Sequence, residues 1–424
     1  MTTTEPIVVP RTPTAGRPRP VPVPERAKRD EGRPTTGRTR FGFTLAIVAQ
    51  ILMMFGASAP SPFYPVLAQQ IGFAPVVISA VFAVYAIALL LTLLTAGSLS
   101  DHVGRRPVAI AGFLLLAASM VLFWHADAVA TLVLARALQG MASGLLISAL
   151  SAAALDLAPA GRPGIASLWN SLSPGIGLAS GALVSGLVLD VTGEPLLDVF
   201  APLTVAYVVL AGLFFLAPET APLREGAWAS LSFRLSLPAA IRVDFWRAAP
   251  AVIAGWATGG LFLSLGANIV RSELGGEAHL WQGLAVTMLA GVGAVTAFLM
   301  RRVSARSTVL FGTAALAVGT LLSLVALGVG SLAFYLVAAG VTGMGFGTTF
   351  SGVVASLAPR IPAEARADAF AVIYLLAYLA FGVPAVVAGV LVGIVGLGAV
   401  CVGYGVVVVV LAGVAFGMRA RRRT

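Results

Sequence analysis

The chain has 424 residues, of which 58% are hydrophobic and only 10% charged, and its mean hydropathy is +0.97. Soluble domains carry roughly 25% charged residues, so this composition excludes an ordinary soluble protein and leaves apolar stretches to face lipid. The net charge of +10 does not signal nucleic acid, because nine of those ten charges sit on the two chain ends, where a membrane surface accounts for them. A single cysteine, Cys401, excludes a disulfide within one chain. His102, His125 and His279 fall in different gaps, so neither a metal site nor a cofactor is expected.

Residues 1–40 are rich in Pro, Arg and Thr without hydrophobic periodicity, and read as a disordered basic tail. A secretory leader is a poor alternative: Ala57-Ser58-Ala59 resembles a cleavage site, but Pro60 follows directly and the basic region is too long. From Phe41 onward come apolar runs of about twenty residues, enough to cross a bilayer core of about 30 Å. They span residues 41–60, 75–98, 107–125, 128–154, 164–189 and 197–217, then 249–270, 280–300, 308–329, 332–355, 368–391 and 395–417. Inside lipid, helices satisfy their own backbone hydrogen bonds, so the predicted fold is all-α with twelve membrane spans.

With the N-terminus inside, 25 of the 27 basic residues fall on inside segments, and only Arg271 lies outside, with Arg136 within a span. That asymmetry predicts both termini in the cytoplasm. The polar break at 218–248, with Pro218, Pro222 and Pro238, divides a first bundle (41–217) from a second (249–417), and a short basic tail (418–424) closes the chain. Trp228–Leu237 has some amphipathic character, but a plain linker is the simpler reading. An internal repeat supports the division: Leu157-Ala158-Pro159 returns as Leu357-Ala358-Pro359, and at the same offset Leu99, Val103, Arg106 and Gly140 meet Leu299, Val303, Arg306 and Gly340.

The most informative stretch is Gly97–Arg106, GSLSDHVGRR, a polar turn between spans 2 and 3. Gly97 and Gly104 are expected to free the backbone at its ends, Asp101 supplies an acceptor, and Arg105 and Arg106 place two cations where span 3 begins. It resembles the signature G-x-L-x-D-x-x-G-R-[RK] of the major facilitator superfamily, with Gly97, Leu99, Asp101, Gly104, Arg105 and Arg106 in place. The resemblance implies two pseudo-symmetric six-helix bundles that rock about a midplane site. It also implies a charge cluster, here Asp101 and Arg105 with Asp156 at the end of span 4, that latches the halves. Asp156 read alone is equally a solvated helix end. In the second half Arg301 and Ser356 replace the two acids, so the latch belongs mainly to the first.

Arg136 lies several residues into span 4, where a charge is expensive and should face the bundle interior or water. Arg136, Gln139 and Gly140 resemble the family's R-x-x-Q-G element, which implies charge balance during proton coupling or contact with an anion; the alternative is an arginine reaching to the outer interface. Small residues on this face, and Asn170, Ser173, Gly177 and Gly181 on span 5, are expected to let neighbouring helices approach closely. Span 5 also resembles an export-associated string, G-x-x-x-G-P-x-x-G-G, but carries Ala182 for the proline and Ser185 for one glycine. No carboxylate lies near mid-span. Gln50 occupies the depth where some relatives place an acid, and Asp127, Glu273 and Glu277 lie toward the outer side.

For the substrate path the polar and aromatic candidates are Gln50, Tyr64, Tyr85, Arg136, Trp169, Asn170, Trp256, Asn268, Gln282, Tyr374 and Tyr378, the last two one turn apart. This neutral, aromatic set suits a lipophilic or weakly charged organic molecule better than a phosphate or a sugar. The expected function is secondary transport in a bacterial inner membrane, acting as a monomer: efflux of a small molecule by proton antiport, or alternatively metabolite uptake by symport or facilitated diffusion. A membrane enzyme would need a nucleophile and base or a metal constellation, and the few acids and scattered histidines offer none.

Overall fold

The computed structural model describes residues 37–162, 164–225, 236–362 and 365–421. Residues 1–36, the segment 226–235 that holds most of the Trp228–Leu237 piece, and Arg422 and Arg423 lie outside the described residues. Among the described residues, twelve long helices carry the fold. The first six are α1 (Gly37–Ser58), α2 (Pro75–Ala96), α3 (Arg105–Trp124), α4 (Val129–Asp156), α5 (Ile165–Val191) and α6 (Pro195–Phe214). The second six are α7 (Ala239–Ser264), α8 (His279–Met300), α9 (Ala305–Val329), α10 (Leu332–Leu357), α11 (Arg366–Val395) and α12 (Leu397–Ala420). All but α7 are long and apolar enough to cross a membrane unaided, and α7 qualifies together with its bent continuation.

Local chemistry sets the ends. Pro75 and Pro195 open α2 and α6, where the missing N–H matters least. The Ser304 and Ser331 hydroxyls cap α9 and α10 by accepting from the backbone N–H of Ser307 and Phe334. The end of the bundle that holds both chain ends and the α2–α3 turn is called the tail face below; the opposite end is the distal face.

Two boundaries depart from expectation. Gly37–Arg40 belong to α1 rather than to the tail, and α7 starts at Ala239, inside the expected linker. Arg242, Asp244 and Arg247 lower the hydropathy of that first stretch, yet Ile241, Phe245 and Ala248 recur at helical spacing and are buried, so amphipathic packing holds it as helix. At the distal face two helices break. After α1 the chain makes a single turn at Ser61–Phe63 and a short helix Tyr64–Ile71. After α7 it bends by 62° at Leu265 into Gly266–Asn268 and a π turn, Ile269–Glu273.

Within the first half α4 packs on α2 and α3, α1 on α5, and α3 on α6; in the second half α9 packs on α10 and α12, and α7 on α11. Small residues set the closest approaches. A Cβ at Gly140 would lie 2.4 Å from the Tyr85 carbonyl oxygen of α2, and one at Gly177 or Gly181 would meet the Ile51 or Phe55 carbonyl of α1 at 2.4 or 2.2 Å. The two halves join along α5 against α8 and α2 against α11.

Candidate functional site

Along the seam between the halves runs a cluster of aromatic rings. The Trp256 ring on α7 meets Phe350 of α10, Tyr378 and Phe381 of α11 edge-on, with centroids 5.2, 4.9 and 5.8 Å away. Tyr374 continues it toward the tail face, 6.3 Å from Tyr378 and 5.9 Å from Phe350. Across the seam Phe82 of α2 packs on Phe381 at 4.8 Å, and Tyr85 joins the same buried group. Trp256, Phe350 and Tyr374 keep part of their surface accessible, whereas Phe82, Tyr85, Tyr378 and Phe381 are buried. The Trp256 indole N–H is buried with no acceptor among the described residues. The cluster thus offers ring faces and an unpaired indole donor, a surface suited to a lipophilic molecule with a hydrogen-bond acceptor. Trp256, Tyr374, Tyr378 and Tyr85 were legible as candidates; Phe82, Phe350 and Phe381 were not, because phenylalanine in a membrane span looks like packing.

Behind Tyr85 lies the buried Arg136. Its side chain is fully buried: Nε donates to the Tyr64 hydroxyl at 2.6 Å, and Nη1 donates to Gln139 Oε1 at 2.5 Å and to the Ala57 carbonyl at 3.2 Å. Gln139 in turn donates to the Gly56 carbonyl at 2.7 Å. The rings of Tyr64, Tyr85 and Phe123 each lie 5.4 Å from the guanidinium carbon. Among the described residues no acid pairs with Arg136, and Nη2 has no acceptor. Asp127, at the distal start of α4, accepts from Thr131 instead. Arg136 is held inside the first half rather than reaching to an interface.

Other candidates have local work. Gln50 donates to Asn170 at 3.0 Å and to the Leu150 carbonyl at 3.4 Å, and Asn170 donates to the Ser151 carbonyl, so the pair ties α1, α4 and α5 together instead of facing the aromatic cluster. Trp169 packs with Ala46 and Ala153 inside the first half. Asn268 lies beyond the α7 break, away from the cluster, because the bend turns the chain at the distal face. Gln282 is buried on α8 with neither amide atom partnered among the described residues.

The tail-face turn is more ordered than a simple loop. Ser100–Val103 form one helical turn, and Gly104 takes φ +103°, open only to glycine without strain. Gly97 has ordinary helical angles, so its expected conformational role is not used; a Cβ there would instead lie 2.3 Å from the Leu93 carbonyl oxygen. Arg105 meets Asp101 at 2.5 Å and Asp156 at 3.5 Å, and Asp156 accepts from Thr220 at 2.9 Å. Asp101, Arg105 and Asp156 belong to the first half, and Thr220 to the stretch that directly follows it. Glu219 completes the cluster: its two carboxylate oxygens accept from the backbone N–H groups of Arg105 and Arg106 at 2.8 and 2.9 Å, capping α3. Arg106 therefore enters through its backbone.

Hydrogen bonds across the seam close the distal face. Asp190, at the end of α5, accepts from the N–H groups of His279 and Leu280 at 2.9 and 2.8 Å, and its carboxylate lies 2.8 Å from His279 Nδ1. Ser61 donates to the Leu263 carbonyl at 2.9 Å where α7 breaks; deeper along the seam, away from this face, Thr287 donates to the Ala179 carbonyl at 2.9 Å. Asp190 escaped the sequence reading because its partners are main-chain groups 89 and 90 positions away.

Comparison with known proteins matches this architecture. The model of the Major Facilitator Superfamily matches residues 46–383. Over 329 residues the chain is 28% identical to the cephamycin export protein CmcT of Amycolatopsis lactamdurans, an alignment covering 76% of this chain and 61% of that protein's length. The crystal structure of the human organic anion transporter MFSD10 (TETRAN) superposes with a TM-score of 0.65 at 15% identity, covering 90% of this chain and all of that one, which is a likeness of fold. The chain belongs to the major facilitator superfamily and is a multi-pass membrane protein.

Proposed function

We propose that the protein exports small lipophilic organic molecules by alternating access, driven by proton antiport, as a monomer in a bacterial inner membrane. The observation that carries this reading is the aromatic cluster on the seam, built from Trp256, Phe350, Tyr374, Tyr378 and Phe381 of one half against Phe82 and Tyr85 of the other. A substrate held there touches both halves, so its binding is coupled to their relative movement. The export role in the name of the Amycolatopsis protein supports the direction. The basic bias of the tail face supports a cytoplasmic assignment for that face, with 41–217 and 249–417 as the two moving bundles. In this reading Arg136 balances charge during the cycle, and Asp101, Arg105, Asp156 and Glu219 stiffen the tail face of the first half.

The second reading is uptake or facilitated passage, favoured by the lack of an acid partnering Arg136 among the described residues. One experiment separates the two. An efflux-deficient host expressing the chain is loaded with lipophilic dyes, with and without a protonophore. Export predicts lower accumulation that the protonophore reverses. Unchanged accumulation across the panel overturns export, and counterflow in proteoliposomes then tests uptake.

A further inference from the structure

The aromatic cluster on the seam has the composition of a cation site, and the residue behind it argues against one. A set of ring faces is the usual means of holding a quaternary ammonium. Here, however, Trp256 meets Phe350, Tyr378 and Phe381 edge-on, and Tyr85 of the same buried group already has the Arg136 guanidinium carbon 5.4 Å from its ring centroid. A ring that faces one cation has little attraction left for a second. Arg136 is the only charged side chain among the described residues that is fully buried. Its surroundings are neutral: the Tyr64 hydroxyl, Gln139 Oε1 and the Ala57 carbonyl accept from it, and Nη2 has no acceptor among the described residues. The acid nearest to it in sequence, Asp127, stands nine positions away, before α4 begins, and accepts from Thr131.

Within the cluster the Trp256 indole N–H is buried without an acceptor among the described residues, so the hydrogen bond on offer there is a donor's. An uncompensated charge in a low-dielectric interior is felt well beyond its own contacts. At about 10 Å and an effective dielectric of about 20, it shifts the affinity of a singly charged ligand by about tenfold. We propose that the seam site selects its cargo by charge. Lipophilic organic anions such as carboxylates bind best, uncharged analogues next and lipophilic cations worst, because the field of Arg136 reaches them through the Tyr85 ring. A carboxylate answers both features, since it accepts from the indole and carries the sign that the arginine favours. The proposal rests on the reading of the cluster as the substrate site. Arg136 touches no cargo in it and is a positioning residue whose field sets specificity.

The test is isothermal titration of the purified full chain in neutral detergent with three probes that share one body: 2-naphthoate, its methyl ester and 2-naphthyltrimethylammonium. Naphthoate is expected to bind about tenfold more tightly than the ester, and the ammonium about tenfold more weakly. Gln139→Glu sets a carboxylate against Arg136 without changing the side chain's length, and should bring all three within about twofold, as should Arg136→Gln. Arg136→Lys should keep the order. A merely structural role for Arg136 would instead weaken all three alike. Trp256→Phe should weaken naphthoate and ester about fivefold each, which places them in the cluster. An ammonium bound as tightly as the ester, or an order that survives in both Gln139→Glu and Arg136→Gln, would overturn the proposal; if Trp256→Phe still weakens binding, the seam site itself stands. No binding by any probe, or binding indifferent to Trp256→Phe, would refute the seam site and the proposal with it. Should the variants fail to fold, the order of the three probes in the unaltered chain decides.

Discussion

In the first half Phe113, Met120, Phe123 and Phe200 are completely buried in one core with Tyr207 and Phe214. Two hundred positions later stand Thr313, Thr320, Ser323 and Val400. The second half compensates by bringing backbones together: a Cβ at Gly319 would lie 2.3 Å from the Thr342 nitrogen, and one at Gly345 would lie 2.5 Å from the Leu316 nitrogen. Two of these hydroxyls turn back onto their own helix, Thr313 to Val309 and Ser323 to Gly319. One topology is thus filled in two ways, by large rings in one copy and by close helix approach in the other, where a cavity of about 30 Å³ remains between α7, α9 and α12. A repeat conserves the path of the chain more strictly than the means of packing it.

The largest test of that contrast is a matched truncation. Phe123→Ala is expected to destabilise the protein by about 3–5 kcal/mol, whereas Ser323→Ala at the matching position changes it by about 1 kcal/mol or less. Thermal unfolding in detergent measures both, and equal losses would mean that the two cores are packed alike. Next comes Arg136→Ala, which strips the Tyr64 hydroxyl, Gln139 and the Ala57 carbonyl of a charged donor. It should remove about 3 kcal/mol of interaction and bring transport to background while membrane insertion persists. Leu336, its buried counterpart in the second half, should cost stability as Leu336→Ala and leave transport measurable. Full activity in the Arg136 variant would remove that residue from the mechanism.

A smaller effect is expected where only the first half has an acid. Glu219→Gln weakens the cap on α3 by about 1 kcal/mol, and with Asp101→Asn it should lower turnover in proteoliposomes more than substrate affinity. Reduced affinity at unchanged turnover would refute a role for this cluster in cycling. The smallest change is Thr320→Val. The Thr320 hydroxyl is buried without a partner among the described residues, so its removal should raise stability by up to about 1 kcal/mol. A loss instead would show that the cavity beside it is polar in use.

Most of the architecture was legible because spans, basic gaps and the Gly97–Arg106 turn are written in contiguous residues. The amphipathic start of α7 was missed, since a hydropathy average penalises Arg242, Asp244 and Arg247 although the face opposite the arginines, with Ile241, Phe245 and Ala248, is buried. The distal break of α7 has no proline at Leu265 to announce it. Of the site, the tyrosines and Trp256 could be picked by residue type. Glu219 and Asp190 could not, because each acts on main-chain N–H groups that any sequence presents. Gln50 and Asn170 look like path residues until their mutual hydrogen bond shows that each is spent on the other.

The contact between α5 and α8 is largely backbone against backbone. A Cβ at Gly283 would lie 2.2 Å from the Ala182 carbonyl oxygen, and one at Gly186 would lie 2.6 Å from that of His279. Such a surface works as a bearing. With few side chains interlocked across it, such a surface would let one bundle roll on the other under the proposed alternating access without unthreading teeth, resisted chiefly by the distal clasp of Asp190 and Ser61. Bulk added at Gly283 would act as grit: it would arrest the roll without touching substrate, charge cluster or clasp.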